Sequence, residues 1–149
     1  MPPYRNYIYE YHAKITSGEI IAGKWIKKIY EIIINGLQKQ EYFFNAKAAN
    51  KAIKFIENFC HHSEGRSDLL HLELWQKAIV SAIFGIMDKT TGYRQFREVF
   101  IIVARKNGKT LFAAAIAAYM TYVDGEYGAK VYFLAPVSYT HLTLPTILL

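Results

Sequence analysis

The sequence predicts an α/β fold, a parallel sheet covered by helices, and three stretches predict it. Val99-Phe100-Ile101-Ile102-Val103 is a β-branched run. A short polar turn follows, and from Lys109 an alanine-rich stretch runs through residues 111–120. Gly128 then precedes a second apolar run over residues 130–134, closed by Ala135-Pro136. Strand, loop, helix and strand make one βαβ unit, and parallel strands joined this way need a covering helix.

The turn itself, Ala104-Arg105-Lys106-Asn107-Gly108-Lys109-Thr110, carries chemistry. The first N–H groups of a helix have no intrahelical partner, and the helix dipole adds partial positive charge there. Gly108 has no Cβ, so the backbone can approach a phosphate closely. Lys109 is placed to reach β/γ-phosphates as a point charge, and Thr110 to put its hydroxyl on Mg²⁺. The usual pattern is G-x-x-x-x-G-K-[ST], and here Val103 stands at the first glycine position. An ordinary solvated αβ turn is the bland alternative. The flanking strand and helix, with Arg105 and Lys106 inside the loop, favour nucleotide binding.

Composition sets the class. At 149 residues the chain is one domain or a piece of one, and 52% of it is apolar, enough for a packed core. The lone Cys60 excludes an internal disulfide and fits a reducing compartment. Cys60-His61-His62 and His71 lack metal-ligand spacing, so a helix end entering a polar loop is expected there. The run 111–120 is too short to cross a bilayer, and Met1-Pro2-Pro3-Tyr4-Arg5 lacks the apolar core of a signal peptide. A soluble, intracellular protein is expected. Net charge is +6, and residues 1–60 hold nine Lys/Arg against five Asp/Glu. That basic excess suits a polyanion such as DNA, and equally a solvated face.

Ahead of the loop the chain predicts helices. Residues 4–22 are aromatic and mixed, with a break at Ser17-Gly18-Glu19. Residues 24–37 place Trp25, Ile26, Ile29, Ile32, Ile33 and Leu37 on one helical stripe, with Asn35-Gly36 as the stop. Residues 47–60 put Ala49, Ile53, Ile56, Phe59 and Cys60 inside and Lys47, Lys51, Lys54 and Asn58 outside. The polar stretch 61–67 is a boundary, after which Ser67 or Asp68 caps a helix over about 72–87. Its stripe is Trp75, Ile79, Ala82, Ile83 and Ile86; Gln76 lies beside it, where solvation is its ordinary role. Residues 88–92 form a turn, and a helix over 109–123 ends at Asp124-Gly125. The domain division is therefore 1–66, an N-terminal helical region; 67–136, the start of the loop-bearing domain; and 137–149. Residues 138–149 hold no Lys, Arg, Asp or Glu and resemble a translated sequencing-adapter tail, so they are set apart as non-native.

The chain resembles the N-terminal part of the tailed-phage terminase large subunit. Four stretches over roughly residues 8–136 carry the likeness: Ser17-Gly18-Glu19-Ile20-Ile21-Ala22-Gly23-Lys24-Trp25; Leu74-Trp75-Gln76-Lys77 with Phe84-Gly85; Arg94-Gln95-Phe96-Arg97-Glu98; and residues 104–110 running on to Asp124-Gly125-Glu126. That family tolerates the lost first glycine and often writes Arg-Lys-Asn-Gly-Lys-Thr. The resemblance implies a P-loop NTPase with a helicase/RecA-like parallel sheet, followed in the whole protein by a metal-dependent nuclease domain. It implies ATP and Mg²⁺ as cofactors. Double-stranded DNA, a portal protein and a small terminase subunit are the implied partners, with a homo-oligomeric ring at full length. The implied setting is the host cytoplasm of an infected or lysogenic bacterium. By position, Lys109 would hold the β/γ-phosphates and Thr110 the Mg²⁺. Lys106, Asn107 and Gly108 would line the phosphates, Arg105 would stabilise charge on the γ-phosphate, and Gln76 would contact adenine.

Within residues 1–149 no hydrophobic strand ending in Asp-Glu follows the loop, and no nuclease carboxylates are present. Phosphoryl transfer needs Mg²⁺ and the attacking water positioned as well as the phosphate gripped. The chain is expected to bind nucleotide weakly, not to turn it over, and to aggregate through an unpaired sheet edge. Two rivals stand beside this reading: another P-loop enzyme such as a helicase or small kinase, or a non-catalytic DNA-binding helical protein.

Overall fold

A computed structural model describes residues 4–62, 67–104, 106–125, 128 and 130–132. They form five helices and two short strands in the order α1 (Tyr7–Ser17), α2 (Lys24–Gln38), β1 (Tyr42–Phe44), α3 (Ala46–Phe59), α4 (Leu74–Gly85), β2 (Ile86–Asp88) and α5 (Lys109–Tyr122). This helix-rich architecture is consistent with a fragment of an α/β ATPase domain. Contacts gather the chain into two compact units that alternate in sequence: residues 1–53 with 72–100, and residues 54–71 with 101–149.

The first unit is built on α1, α2 and α4. Asn6 caps α1 by accepting from the N–H groups of Ile8 and Tyr9, and Gly18 ends it at φ 83°, as the break at 17–19 predicts. Ile8, Tyr11 and Ile15 of α1 are buried with Tyr30, Ile33 and Ile34 of α2, Ala78 of α4, and Tyr42 and Ile86. Tyr11 meets Tyr30 edge to face at 5.0 Å between ring centres, the geometry that ring quadrupoles favour. β1 and β2 pair antiparallel, Phe43 opposite Met87. Three-residue strands show no alternation for a sequence reading to detect, and neither was foreseen.

The α2 helix corrects two expectations. It runs through Asn35-Gly36 to Gln38, because Gly36 is a contact position. The Tyr42 ring lies on it, and the Tyr42 hydroxyl donates to the Ile33 carbonyl at 2.9 Å. The buried face is also rotated from the expected stripe. Tyr30, Ile33 and Ile34 go inside, whereas Trp25, Ile26, Ile29 and Ile32 stay exposed. The apolar arc is wider than one neighbour covers, so sequence spacing alone could not choose between its halves.

The α4 helix starts at Glu73, not at Ser67 or Asp68. Glu73 and Gln76 form a reciprocal capping box, in which each side chain satisfies the other residue's backbone N–H. Asp68 instead accepts from the His62 N–H through its own carbonyl, at 3.1 Å. Gly85 admits Phe44 and Ala49, whose atoms stand 2.6 and 2.9 Å from where a Cβ would lie.

In the second unit, residues 54–59 of α3 lead into buried Cys60, whose carbonyl accepts from Leu70 N–H at 2.8 Å. Lys47, Lys51, Lys54 and Asn58 are exposed as expected; Phe59 is exposed against expectation, its ring set against Phe55 of the previous turn. α5 spans nearly the expected residues, ends before Asp124-Gly125, and buries Phe112, Ala114, Ala115, Ala117, Ala118 and Tyr119.

The expected strand over 99–103 is not a strand. Residues 99–104 are irregular, and Ile102 is 98% exposed. A strand needs neighbours for its N–H and C=O groups, and the described residues bring none to this segment. Residues 130–132 are likewise irregular, so of the second expected strand they supply no ladder. Its residues 133–134, and the set-apart tail 137–149, lie outside the described residues. The two-stranded antiparallel pair is the sheet present among the described residues. No described helix is long and apolar enough to cross a membrane.

Candidate nucleotide-binding site

The loop before α5 has a distinctive backbone. Lys106 sits at φ 65° and Gly108 at φ 64°, with Asn107 between them outside the positive-φ region. Alternating φ signs turn successive N–H groups toward one side, the arrangement that makes an anion-binding concavity. For Gly108 the conformation comes without Cβ strain. For Lys106 it costs about 1–2 kcal/mol; Gln40, in the turn after α2, adopts a similar conformation at φ 57°. Asn107 steadies the turn by donating from Nδ2 to the Ala104 carbonyl at 3.3 Å.

Gly108 is also the N-cap of α5, and it offers no side-chain cap. Its carbonyl accepts from Phe112 N–H at 2.9 Å, which starts the helical ladder. The helix therefore opens with Lys109 and Thr110 at its positive end. Lys106, Asn107, Gly108, Lys109 and Thr110 are all exposed. Nothing stands within 4 Å of a Cβ position at Gly108, so an incoming group would meet open space there. The donor set is two ammonium groups, one hydroxyl and backbone N–H groups. It suits a polyphosphate with its divalent cation: hard anionic oxygens on the donors, a hard cation on the threonine oxygen.

Residues 74–140 match the family model of the terminase large subunit ATPase domain. This stretch of the chain is terminase-like. The match begins at the first residue of α4 and takes in Gln76, the loop and the whole of α5. It supports a fragment of a terminase large subunit, and with it a terminase-like ATPase. No curated protein and no solved structure matches the chain.

The remaining expected site residues are placed as follows. Arg105 lies outside the described residues. Gln76 belongs to the first compact unit and the loop to the second. Far from being solvated, Gln76 is 8% exposed, and its Oε1 accepts from Glu73 N–H at 2.8 Å. Its oxygen thus holds the start of α4. The left-handed Lys106 was not legible in the sequence, because glycine and asparagine are the usual signals for φ above zero.

Proposed function

We propose that residues 104–110 bind the phosphates of ATP, and that this chain is nucleotide-binding sequence from a viral DNA-packaging motor. One observation carries the reading: positive φ at Lys106 and Gly108 stands directly ahead of α5, where Lys109 and Thr110 open the helix. The terminase ATPase match over the same residues supports it. In this proposal Lys109 neutralises β/γ-phosphate charge, and Thr110 Oγ1 holds Mg²⁺. The N–H groups of residues 106–108 cradle the phosphates, Arg105 meets charge on the γ-phosphate, and Gln76 contacts adenine. The parallel sheet, the nuclease, double-stranded DNA, the portal, the small subunit, a ring of large subunits and action in the host cytoplasm belong to the whole motor and are proposed with it. So is the division at residues 66 and 136.

The test is binding of a fluorescent ATP analogue to the 149-residue chain with and without Mg²⁺. Weak saturable binding is expected, and Lys109→Ala should lower affinity about tenfold, the loss of one charge-assisted contact of about 1.4 kcal/mol. Turnover is not expected. Steady Mg²⁺-dependent hydrolysis that Lys109→Ala abolishes would show that the chain carries its own catalytic carboxylate. Binding indifferent to Lys109→Ala would remove the loop from the site.

A DNA-binding reading draws on one further feature. Lys47, Lys51 and Lys54 fall at helical spacing along α3, and all three are exposed. Duplex binding that falls steeply with salt, survives Lys109→Ala and ignores ATP would favour it.

A further inference from the structure

The two-stranded sheet is covered along one edge and open along the other. On β2, the Gln95 N–H donates to the Ile86 carbonyl at 3.0 Å, and the Asp88 N–H donates to the Tyr93 carbonyl at 2.8 Å. Ile86 and Asp88 therefore turn their backbone groups away from β1, and Met87 turns its own toward it, since neighbouring residues of an antiparallel strand alternate in this way. Phe43 stands opposite Met87, so Phe43 pairs with β2 while Tyr42 and Phe44 point their N–H and C=O groups outward. The Asn45 N–H keeps the same parity two residues on, donating to the Gly85 carbonyl at 2.7 Å. Among the described residues, the outward backbone groups of Tyr42 and Phe44 meet no hydrogen-bond partner.

A cleft of about 290 Å³ lies beside this edge. Tyr42, Phe43 and Phe44 all line it, although successive strand side chains alternate between faces; the cleft therefore follows the strand edge. Leu37 from the end of α2 and Tyr9 from α1 supply further wall. Tyr9 and Phe43 are 42% and 41% exposed, so apolar surface is on offer there. Gln40 and Lys89 stand at the end nearest Tyr42, where Lys89 Nζ donates to Gln40 Oε1 at 3.2 Å. Lys39 and Glu41, both exposed in the adjoining turn, offset each other, so Lys89 sets the sign of charge at this end. The volume falls short of the roughly 300–1,000 Å³ of small-molecule sites. It suits one or two side chains of a segment lying along the edge.

An open strand edge is a template for another strand: main-chain hydrogen bonds give affinity, and side-chain pockets beside the edge give specificity. Tyr42 and Phe44 together offer two N–H and two C=O groups, at a spacing that an extended backbone matches. The apolar wall takes a side chain, and the Lys89 ammonium favours a carboxylate. We propose that the outer edge of β1, with its cleft, is the docking site for an extended segment of a partner protein. That segment places an apolar side chain in the cleft and an acidic side chain beside Lys89.

Fluorescence anisotropy on the 149-residue chain tests this with a labelled, C-terminally amidated peptide, Thr-Val-Thr-Val-Thr-Asp, and a companion ending in Lys. Saturable binding of the acidic peptide is expected at about 10 µM to 1 mM, as befits a small contact. The Lys-ended peptide should bind about threefold more weakly, and Lys89→Glu should invert that order. Circular dichroism checks that this exposed substitution leaves the fold intact. Two further acidic peptides carry N-methyl groups, one on the valine amides and one on the threonine amides. One of them should lose about tenfold or more and the other little, because only one alternate set of amides faces the edge. Equal losses from the two methylated peptides overturn the proposal. So does a charge preference that survives Lys89→Glu, or the absence of binding by either charged peptide up to about 1 mM. A chain that binds neither peptide but self-associates in sedimentation equilibrium overturns it in favour of a second copy.

Discussion

Gly36→Ala isolates a contest between local propensity and packing. Gly36 lies inside α2, and replacing a mid-helix glycine with alanine gains about 1 kcal/mol in a solvated helix. Propensity alone therefore predicts a more stable protein. The structure predicts the opposite sign. A Cβ at Gly36 would overlap the hydroxyl and ring of Tyr42, with ring atom Cε1 at 2.7 Å. Tyr42 cannot swing aside without loss, because it is buried and its hydroxyl donates to the Ile33 carbonyl at 2.9 Å. Forcing a methyl into a packed site costs about 1–3 kcal/mol, and giving up the hydrogen bond costs about another 1 kcal/mol. Set against the helical gain, the net is a destabilisation of about 1–3 kcal/mol. Urea denaturation followed by far-ultraviolet circular dichroism measures it. Tyr42→Phe provides the control: it removes one of the overlapping atoms, so Gly36→Ala should cost less in that background than in wild type. A Gly36→Ala protein as stable as wild type, or more so, would refute the reasoning, as would strict additivity of the two substitutions.

Two further outcomes follow from ionisable groups. Burial pushes the Cys60 thiol above the usual cysteine range, so it should react with a thiol-specific disulfide reagent far more slowly than a free cysteine at pH 8 and at the free rate in denaturant; fast native reaction would contradict the buried placement. The Asp88 carboxylate is held below its usual range by hydrogen bonds from the Thr91 N–H and hydroxyl and the Thr90 N–H, with Arg97 adding a smaller attraction. Because its folded pKa lies below the unfolded one, its stabilisation is present above the ordinary aspartate range and is lost as pH falls through the folded value. The Thr90 and Thr91 amide resonances should titrate at a pH below that range, and the step should vanish in Asp88→Asn.

How much of this was legible in the sequence depends on what decides each feature. α5 was, because Gly108, the alanine-rich run and Asp124-Gly125 are local signals that need no tertiary context. α3 was too, with its lysines outside. The capping of α4 was not. Ser67 and Asp68 are stronger N-cap residues than Glu73, yet Glu73 wins because Gln76 sits three residues on and closes the box. The buried side of α2 was not legible either, since its apolar residues cover more than half of the helix and the packing of Tyr11 from α1 and Tyr42 from β1 selects a face. The loop divides the same way. Gly108 was read as a place for close backbone approach, and its left-handed φ of 64° came with the structure; Lys106 adopts a left-handed φ that its side chain disfavours.

The segment 99–103 shows why the proposed phosphate loop and the strand expected before it are separable. The described part of the loop has positive φ at Lys106 and Gly108 and one Asn107 hydrogen bond to the Ala104 carbonyl. The helix that follows is held by its own ladder and by burial of Phe112, the alanines and Tyr119, whose ring packs on Phe55 at 5.7 Å between centres. None of these needs a strand before the loop. The β-branched run does need something, for its backbone groups pair only with a neighbouring strand and its side chains suit a sheet buried on both faces. A run so apolar, left irregular with Ile102 in solvent, has the composition of a central strand without the pairing that would make it one. In the proposed reading, gripping phosphate draws on the loop and the start of α5, whereas fixing the loop against a catalytic carboxylate needs a sheet. That is why nucleotide binding and turnover are expected to separate here.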